Sequence, residues 1–555
     1  MSPTSGILYV TMQPQSSLAE DKFHDWYNNE HGPTRLRLPF ITSGFRYRAN
    51  DLEGQAPSDE KPEWMAVYDV ADMDELTKET YLRLRDQPVK SQREAETMKE
   101  IRVDRKLYDH IQTWEGPDFR ALERVENEGE RNVIVAVSLI LNPGDEHVQE
   151  VEKWYQEEHV DMLSNVSGWV RSRRFVTSAI DPKAPVEYLA LHEYQPQNGL
   201  GGKEFQAATA TKWAQEIGRK SVKETTSRGY DWYYTFGPAP RYLAPNLARW
   251  QSSDVPAAVT QTFPDSPGGA GAIESFITTA DGVALPYRLE GSPDPDAPLL
   301  VLSNSILVDY AIWDGFLASF FSVPANTKYR VLRYLTRGRR APAGVLDVTV
   351  DVLASDIIAL LDALRVQKAA AVIGVSLGGC TALNTALKYP SRVSSFVSCD
   401  TSSKSPAGNA HAWGARIALA EKEGAAAASG ENIVGAALAE MTTRRWFVQE
   451  SYDGAELEQT CRAVQEMVKH NSLEGFRQSV RALFDYDLRE EMKTGTVRGA
   501  FVVGGRDGVL PGTMKEMAVS YGKNGAMYEV IDGAGHLPMV EKPNEFAAVV
   551  TKFLG

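Results

Sequence analysis

The pentapeptide Gly374-Val375-Ser376-Leu377-Gly378 lies between an apolar run, Ala369 to Ile373, and a helical stretch, Gly379 to Tyr389. A strand, a sharp turn and a helix in that order leave few folds open, and the turn is the setting an exposed nucleophilic serine requires. Glycines on both sides allow a bend tight enough to lift the hydroxyl clear of the sheet. The peptide N–H of Leu377 then opens the next helix, where it can face a developing oxyanion. Ser376 is the candidate nucleophile.

Two later segments supply its partners. Phe501 to Asp507 reads as a buried strand ending in an acid, and Tyr528 to His536 as another ending in a histidine. The chain order Ser376, Asp507, His536 is that of the α/β-hydrolase fold, with each member in the loop after a short apolar strand, at the carboxyl edge of a parallel sheet. Asp400, closing the strand Val393 to Cys399, is the alternative acid.

A chain of 555 residues is long for one domain and predicts two to four. Its apolar content of 43% and charged content of 24% are those of ordinary globular protein. A formal charge of −15 offers no basic footprint for nucleic acid and repels an anionic membrane surface. Cys380, Cys399 and Cys461 are too few and too irregularly spaced for a disulfide framework or a paired-cysteine metal site. The chain contains no apolar stretch of membrane-spanning length, and neither end reads as a targeting signal, so the expected location is the cytoplasm. No metal and no cofactor are expected, since Gly268-Gly269-Ala270-Gly271 does not follow a strand.

The N-terminal half repeats itself. Trp26-Tyr27-Asn28-Asn29-Glu30-His31 and Trp154-Tyr155-Gln156-Glu157-Glu158-His159 share Trp-Tyr-x-x-Glu-His. Each copy follows an apolar strand (Gly6 to Met12; Asn132 to Leu141) and precedes another (Trp64 to Val70; Tyr188 to Tyr194), a duplicated β-α-β-type unit. The expected domains are repeats over 1–125 and 126–243, a Pro/Ser/Ala/Gly-rich linker over 244–271, and a catalytic domain over 272–555. In the last, strands alternating with helices predict a mostly parallel sheet covered on both faces. The Ala- and Glu-rich segment 402–492 is its helical lid. Arg445 and Trp446 in the lid suit an apolar pocket with an anion-binding edge, and Trp446 with Phe447 serves equally well to pack the lid onto the body.

From about Ile273 onward the chain resembles the 3-oxoadipate enol-lactonase group of α/β-hydrolases. The matching stretches are Leu302 to Ser305 with Trp313-Asp314, Val331 to Tyr334, Thr336 to Gly338, the nucleophile segment, Arg445 to Phe447, Asp487 to Arg489 and Gly533 to Leu537. The resemblance implies an oxyanion hole from the N–H groups of Leu377 and Ser305, and substrate contact at Arg445 and Trp446. The chain departs from the family at Ile306-Leu307-Val308, where Leu-Gly-Thr is usual, and at Leu335 to Arg340, where Asp-Thr-Arg-Gly-His-Gly is usual. Ile306 and Leu307 therefore join the substrate-binding candidates as larger apolar groups at the pocket mouth. The N-terminal copies resemble the EthD-like and dimeric α/β-barrel families, which implies ferredoxin-like α+β units that pair sheet to sheet. Such pairing is either internal or between copies of the chain. Related barrels use a histidine on polyketide-like or aromatic substrates, which singles out His31 and His159; the structural reading is that the aromatics anchor the helix and the histidine bonds near its end.

The expected chemistry is acyl transfer from a small-molecule lactone or ester through an acyl-enzyme. Water gives hydrolysis, whereas attack by a group within the bound acyl chain gives a cyclase or isomerase of specialised metabolism. A non-catalytic ligand-binding scaffold is the alternative from another class.

Overall fold

The computed structural model describes residues 3–52, 57–58, 60–87, 89–117, 119, 132–244, 246–251, 260–269 and 271–555. Residues up to Pro240 and residues from Arg241 onward gather into separate compact units. The expected boundary between the repeats at 125/126, and part of the expected linker, lie outside the described residues.

In the N-terminal unit eight strands, β1 (Gly6–Pro14), β2 (Ile41–Ala49), β3 (Trp64–Val70), β4 (Ile101–Glu115), β5 (Val133–Leu141), β6 (Trp169–Thr177), β7 (Tyr188–Tyr194) and β8 (Val222–Thr235), form a closed barrel. Around it the order is β1-β3-β2-β8-β5-β7-β6-β4, with every neighbouring pair antiparallel. The first copy contributes β4-β1-β3-β2 and the second β8-β5-β7-β6, the same internal order. The copies join at β2 with β8 and at β4 with β6. They therefore do not stand as separate sheets, and each holds four strands rather than the two expected. Closure removes every sheet edge. One face of the alternating strands supplies a shared core that includes Ile7, Phe45, Tyr47, Met65, Val67, Ile134, Leu191 and Trp232.

The C-terminal unit is built on β9 (Trp250–Gln251), β10 (Gln261–Phe263), β11 (Ala272–Thr278), β12 (Ala284–Gly291), β13 (Leu299–Ser303), β14 (Arg330–Tyr334), β15 (Ala371–Val375), β16 (Ser395–Cys399), β17 (Arg498–Gly504) and β18 (Met527–Ile531). These form one sheet in the order β18-β17-β16-β15-β13-β14-β12-β11-β10-β9. β13 to β18 run parallel, and β12 joins β14 antiparallel. Every residue of β13, β14, β15 and β16 is buried, as expected for strands covered on both faces. The strand order reverses direction between β13 and β15. Loops leaving the carboxyl ends of two such strands diverge and open a crevice. Between β16 and β17 lie helices that include Asn409–Glu423, Ala436–Trp446, Glu458–Lys469 and Leu473–Ser479. Among the described residues no helix is long and apolar enough to cross a membrane.

The loop after β14 is anchored by a buried ion network. Arg337 donates to Asp356 at 2.6 and 2.8 Å and to Asp281 in the β11–β12 turn at 2.8 Å. This forked geometry is one that a guanidinium supports and an ammonium does not.

Candidate active site

Ser376 directly follows β15 with φ 58° and ψ −117°, a left-handed conformation rare for a residue with a side chain. Its neighbours explain how the turn is made. A Cβ on Gly374 would lie 2.0 Å from the Gly378 carbonyl oxygen, and one on Gly378 would lie 2.1 Å from that of Ser303. Only glycine lets these backbones meet. The Ser376 N–H donates to the Cys399 carbonyl at 2.8 Å, tying the turn to β16.

Asp507 and His536 leave β17 and β18, and Nδ1 of His536 lies 2.6 Å from Oδ2 of Asp507. Trp446 stacks on the imidazole at 5.9 Å between ring centres and 20° between planes, and its carbonyl accepts the His536 N–H at 2.7 Å. Glu541, absent from the sequence reading, joins the histidine loop to the lid. Its carboxylate accepts from the N–H groups of Gly535 at 2.6 Å and Val448 at 3.0 Å. Burial raises its pKa.

Asp400 lies beside the pair, at φ 45° and 1% exposed. Its Oδ1 accepts the Gly504 N–H at 2.8 Å. Burial, and then the charge of Asp507, push the Asp400 carboxyl well above the usual carboxylate range. Burial is the largest influence on Asp507 and pushes its pKa up, but His536, Asp400 and Arg445 together outweigh it and the net shift is downward. Among the described residues, Asp400, Asp507 and His536 are the one grouping of metal-type donors, with ligand atoms within 4.8 Å of one another.

Residues 300–549 match the Alpha/beta hydrolase family. The C-terminal half is an α/β-hydrolase. It is similar to 3-oxoadipate enol-lactonase 1 of Acinetobacter baylyi, with 28% identity over 280 residues, covering 50% of this chain and 96% of that protein. A putative carbamate hydrolase RutD of Stutzerimonas stutzeri is 33% identical over 146 residues, 25% of this chain and 52% of its own. The solved enol-lactonase of Burkholderia xenovorans LB400 has 26% identity and a TM-score of 0.44, covering 50% of this chain and 99% of its own.

In this hydrolase Ser305 is fully buried in the loop after β13 and Leu377 opens the helix after β15. Asn304 fixes the loop: Nδ2 donates to the Tyr334 carbonyl and Oδ1 accepts from Trp313 Nε1, both at 2.8 Å. Ile306 and Leu307 are buried, with Leu307 at φ 65° and its carbonyl held by Asn471 Nδ2 at 2.8 Å. Arg445 is exposed, and its guanidinium stands 5.9 Å from the Trp413 ring centre, with that of Arg416 4.2 Å from the same ring. Trp413 and Arg416 were not singled out in the sequence because they lie a whole helix away from Arg445. Asn471 and Glu541 likewise act on residues remote in the chain.

In the barrel both Trp-Tyr-x-x-Glu-His motifs run into a π-helical turn, Tyr27–His31 and Tyr155–His159. Both histidines are buried. In the first copy Glu94 accepts from Trp26 Nε1 at 2.8 Å and lies 2.9 Å from His31 Nδ1. The Glu94 N–H is capped by Ser91, and in the second copy Thr211 caps Ala214 in the same way. Ala214 thus stands where Glu94 would be. Trp154 turns to Glu158 instead, at 3.1 Å, and stacks on His159 with ring centres 4.1 Å apart. Burial lowers the His159 pKa to about 4.

Proposed function

We propose that the hydrolase half cleaves a lactone or ester of a small organic molecule through an acyl-enzyme on Ser376. The observation that carries this reading is Ser376 on its left-handed turn at the sheet's direction change, together with the short His536–Asp507 contact. His536 takes the hydroxyl proton as Ser376 attacks the carbonyl, and Asp507 holds the ring and stabilises the imidazolium. The N–H groups of Leu377 and Ser305 receive the oxyanion. His536 then returns the proton to the leaving oxygen and activates the water that frees the acid. Asp400 stays neutral and braces Asp507. The enol-lactonase relatives support a lactone, and Arg445 suits a carboxylate on it.

The N-terminal copies are read as EthD-like, ferredoxin-like repeats paired within one chain. Their shared strand order supports this. In this reading His31 and His159 are structural: His31 ties its segment to Glu94, and His159 packs against Trp154 and against His192 of β7.

The test is intact-protein mass after treatment with a serine-directed fluorophosphonate. One adduct on the parent protein, missing from Ser376→Ala and His536→Ala, is expected, followed by incorporation of oxygen-18 from labelled water into the product acid. A parent that stays unlabelled overturns the reading, and turnover without label incorporation replaces hydrolysis by ring closure.

A further inference from the structure

A cavity of about 460 Å³ opens among the loop after β13, the loop after β14 and the lid helix Glu458–Lys469. Val308, Leu335 and Met467 give it apolar walls; Arg339, Arg340 and Asn471 give it polar ones. Ser376, Asp507 and His536 are not among its lining residues. Arg339 and Arg340 belong to the segment in which the sequence departs from the enol-lactonase pattern by adding positive charge, and acyl transfer at Ser376 makes no use of them.

Arg339 is only 3% exposed. Its Nη1 donates to Ser479 Oγ at 3.2 Å, while Nε and Nη2 are buried with no hydrogen-bond partner. Among the described residues no carboxylate pairs with it. A guanidinium in such a place is strongly destabilised unless an acceptor reaches it. Asn471 poses the complementary demand. Its Nδ2 faces the carbonyls of Leu307, Met467 and Val468 at 2.8, 2.7 and 3.2 Å, which fixes the amide orientation and leaves Oδ1 buried without a donor. One wall therefore offers donors to an anion, and another offers an acceptor to a hydroxyl. The acids Asp309 and Glu466 also line the cavity, so the lining carries as many carboxylates as guanidinium groups. A single negative charge suits it better than a phosphate dianion.

We infer that Arg339 and Asn471 form a binding site for a small hydroxycarboxylate, with its carboxylate on the guanidinium, its hydroxyl on the amide oxygen and its apolar part against Val308, Leu335 and Met467.

Calorimetric titration of the full chain with mandelate, phenylacetate and inorganic phosphate tests this. Mandelate is expected to bind both the untreated protein and the fluorophosphonate-treated protein, several-fold tighter than phenylacetate, which lacks the hydroxyl. Phosphate is expected to bind more weakly than either. Arg339→Met should lose roughly tenfold or more in mandelate affinity without a lower melting temperature, since it removes a buried unpaired cation. Arg339→Gln serves in its place if the methionine variant does not fold. Equal affinity in the Arg339 variant, phenylacetate matching mandelate, phosphate binding most tightly, or loss of mandelate binding once Ser376 is blocked would each overturn the inference. If the phosphonate never labels Ser376, the acyl-enzyme reading fails, while the comparison of untreated parent and Arg339 variant still decides this one.

Discussion

Asp400 and Asp507 bring two carboxyl groups into one corner of the hydrolase, and the surroundings divide their roles. Two carboxylates this close cannot both ionise at low cost. Asp507 faces the imidazole, which draws its carboxyl pKa down; the Asp400 carboxyl, sealed behind it, is pushed well above the usual carboxylate range by burial and by the charge of Asp507. Asp507→Asn should therefore lower kcat by about 10⁴, whereas Asp400→Asn, which preserves a neutral group, should stay within about tenfold of the parent. Steady-state kinetics on a lactone or activated ester read both, and the reverse ranking would make Asp400 the working acid. At Glu94, burial pushes the pKa up, but His31 and the bonds around it win and bring it from 4.5 to about 2. A carboxyl lowered by folding stabilises the native state above its unfolded pKa and loses that contribution as pH falls through the folded value. The stability gap between the parent and Glu94→Gln, measured by urea unfolding, should be full above about pH 5 and shrink towards pH 2.

Strands and helices differed in how openly the sequence declared them. β15 and β17 read clearly as apolar runs ending before Ser376 and before Asp507, because parallel strands buried on both faces need no polar face; β18, the edge strand, is largely part-exposed and was legible mainly from the His536 that follows it. β2 and β4 escaped notice for the opposite reason. β2 carries Arg46 and Arg48, and most of β4, with Arg102, Asp104, Arg105 and Asp109, is exposed or only partly buried, so neither shows the continuous apolar run of β1 or β3. The supporting residues of the site were hidden differently. Glu541 meets Val448 across 93 positions and Asn471 meets Leu307 across 164, separations that no local pattern records. The Arg337–Asp356–Asp281 network ties the β11–β12 turn and the helix Val350–Ala363 to the loop after β14. Asp356→Ala should cost about 3–5 kcal/mol in urea unfolding, because it leaves a buried guanidinium half paired. A loss below about 1 kcal/mol would mean the loop is held by other contacts.

For the whole chain, the clearest architectural consequence is in the barrel. Each copy uses its β2-type and β4-type edges to complete the other, so neither half closes alone. A fragment ending at Gly116 exposes the edges of β2 and β4 and should dimerise or aggregate, which light scattering after size exclusion would reveal; a stable monomer would show that the edges need no partner.

Because both copies travel in one polypeptide, a substitution alters one side of the barrel and leaves the other as it was. In an assembly of two identical chains, exchanging Glu94 for alanine would remove the carboxylate from both sides at once. Here one copy keeps its glutamate while the other has Ala214, so one side can explore new chemistry while its twin goes on holding the barrel shut.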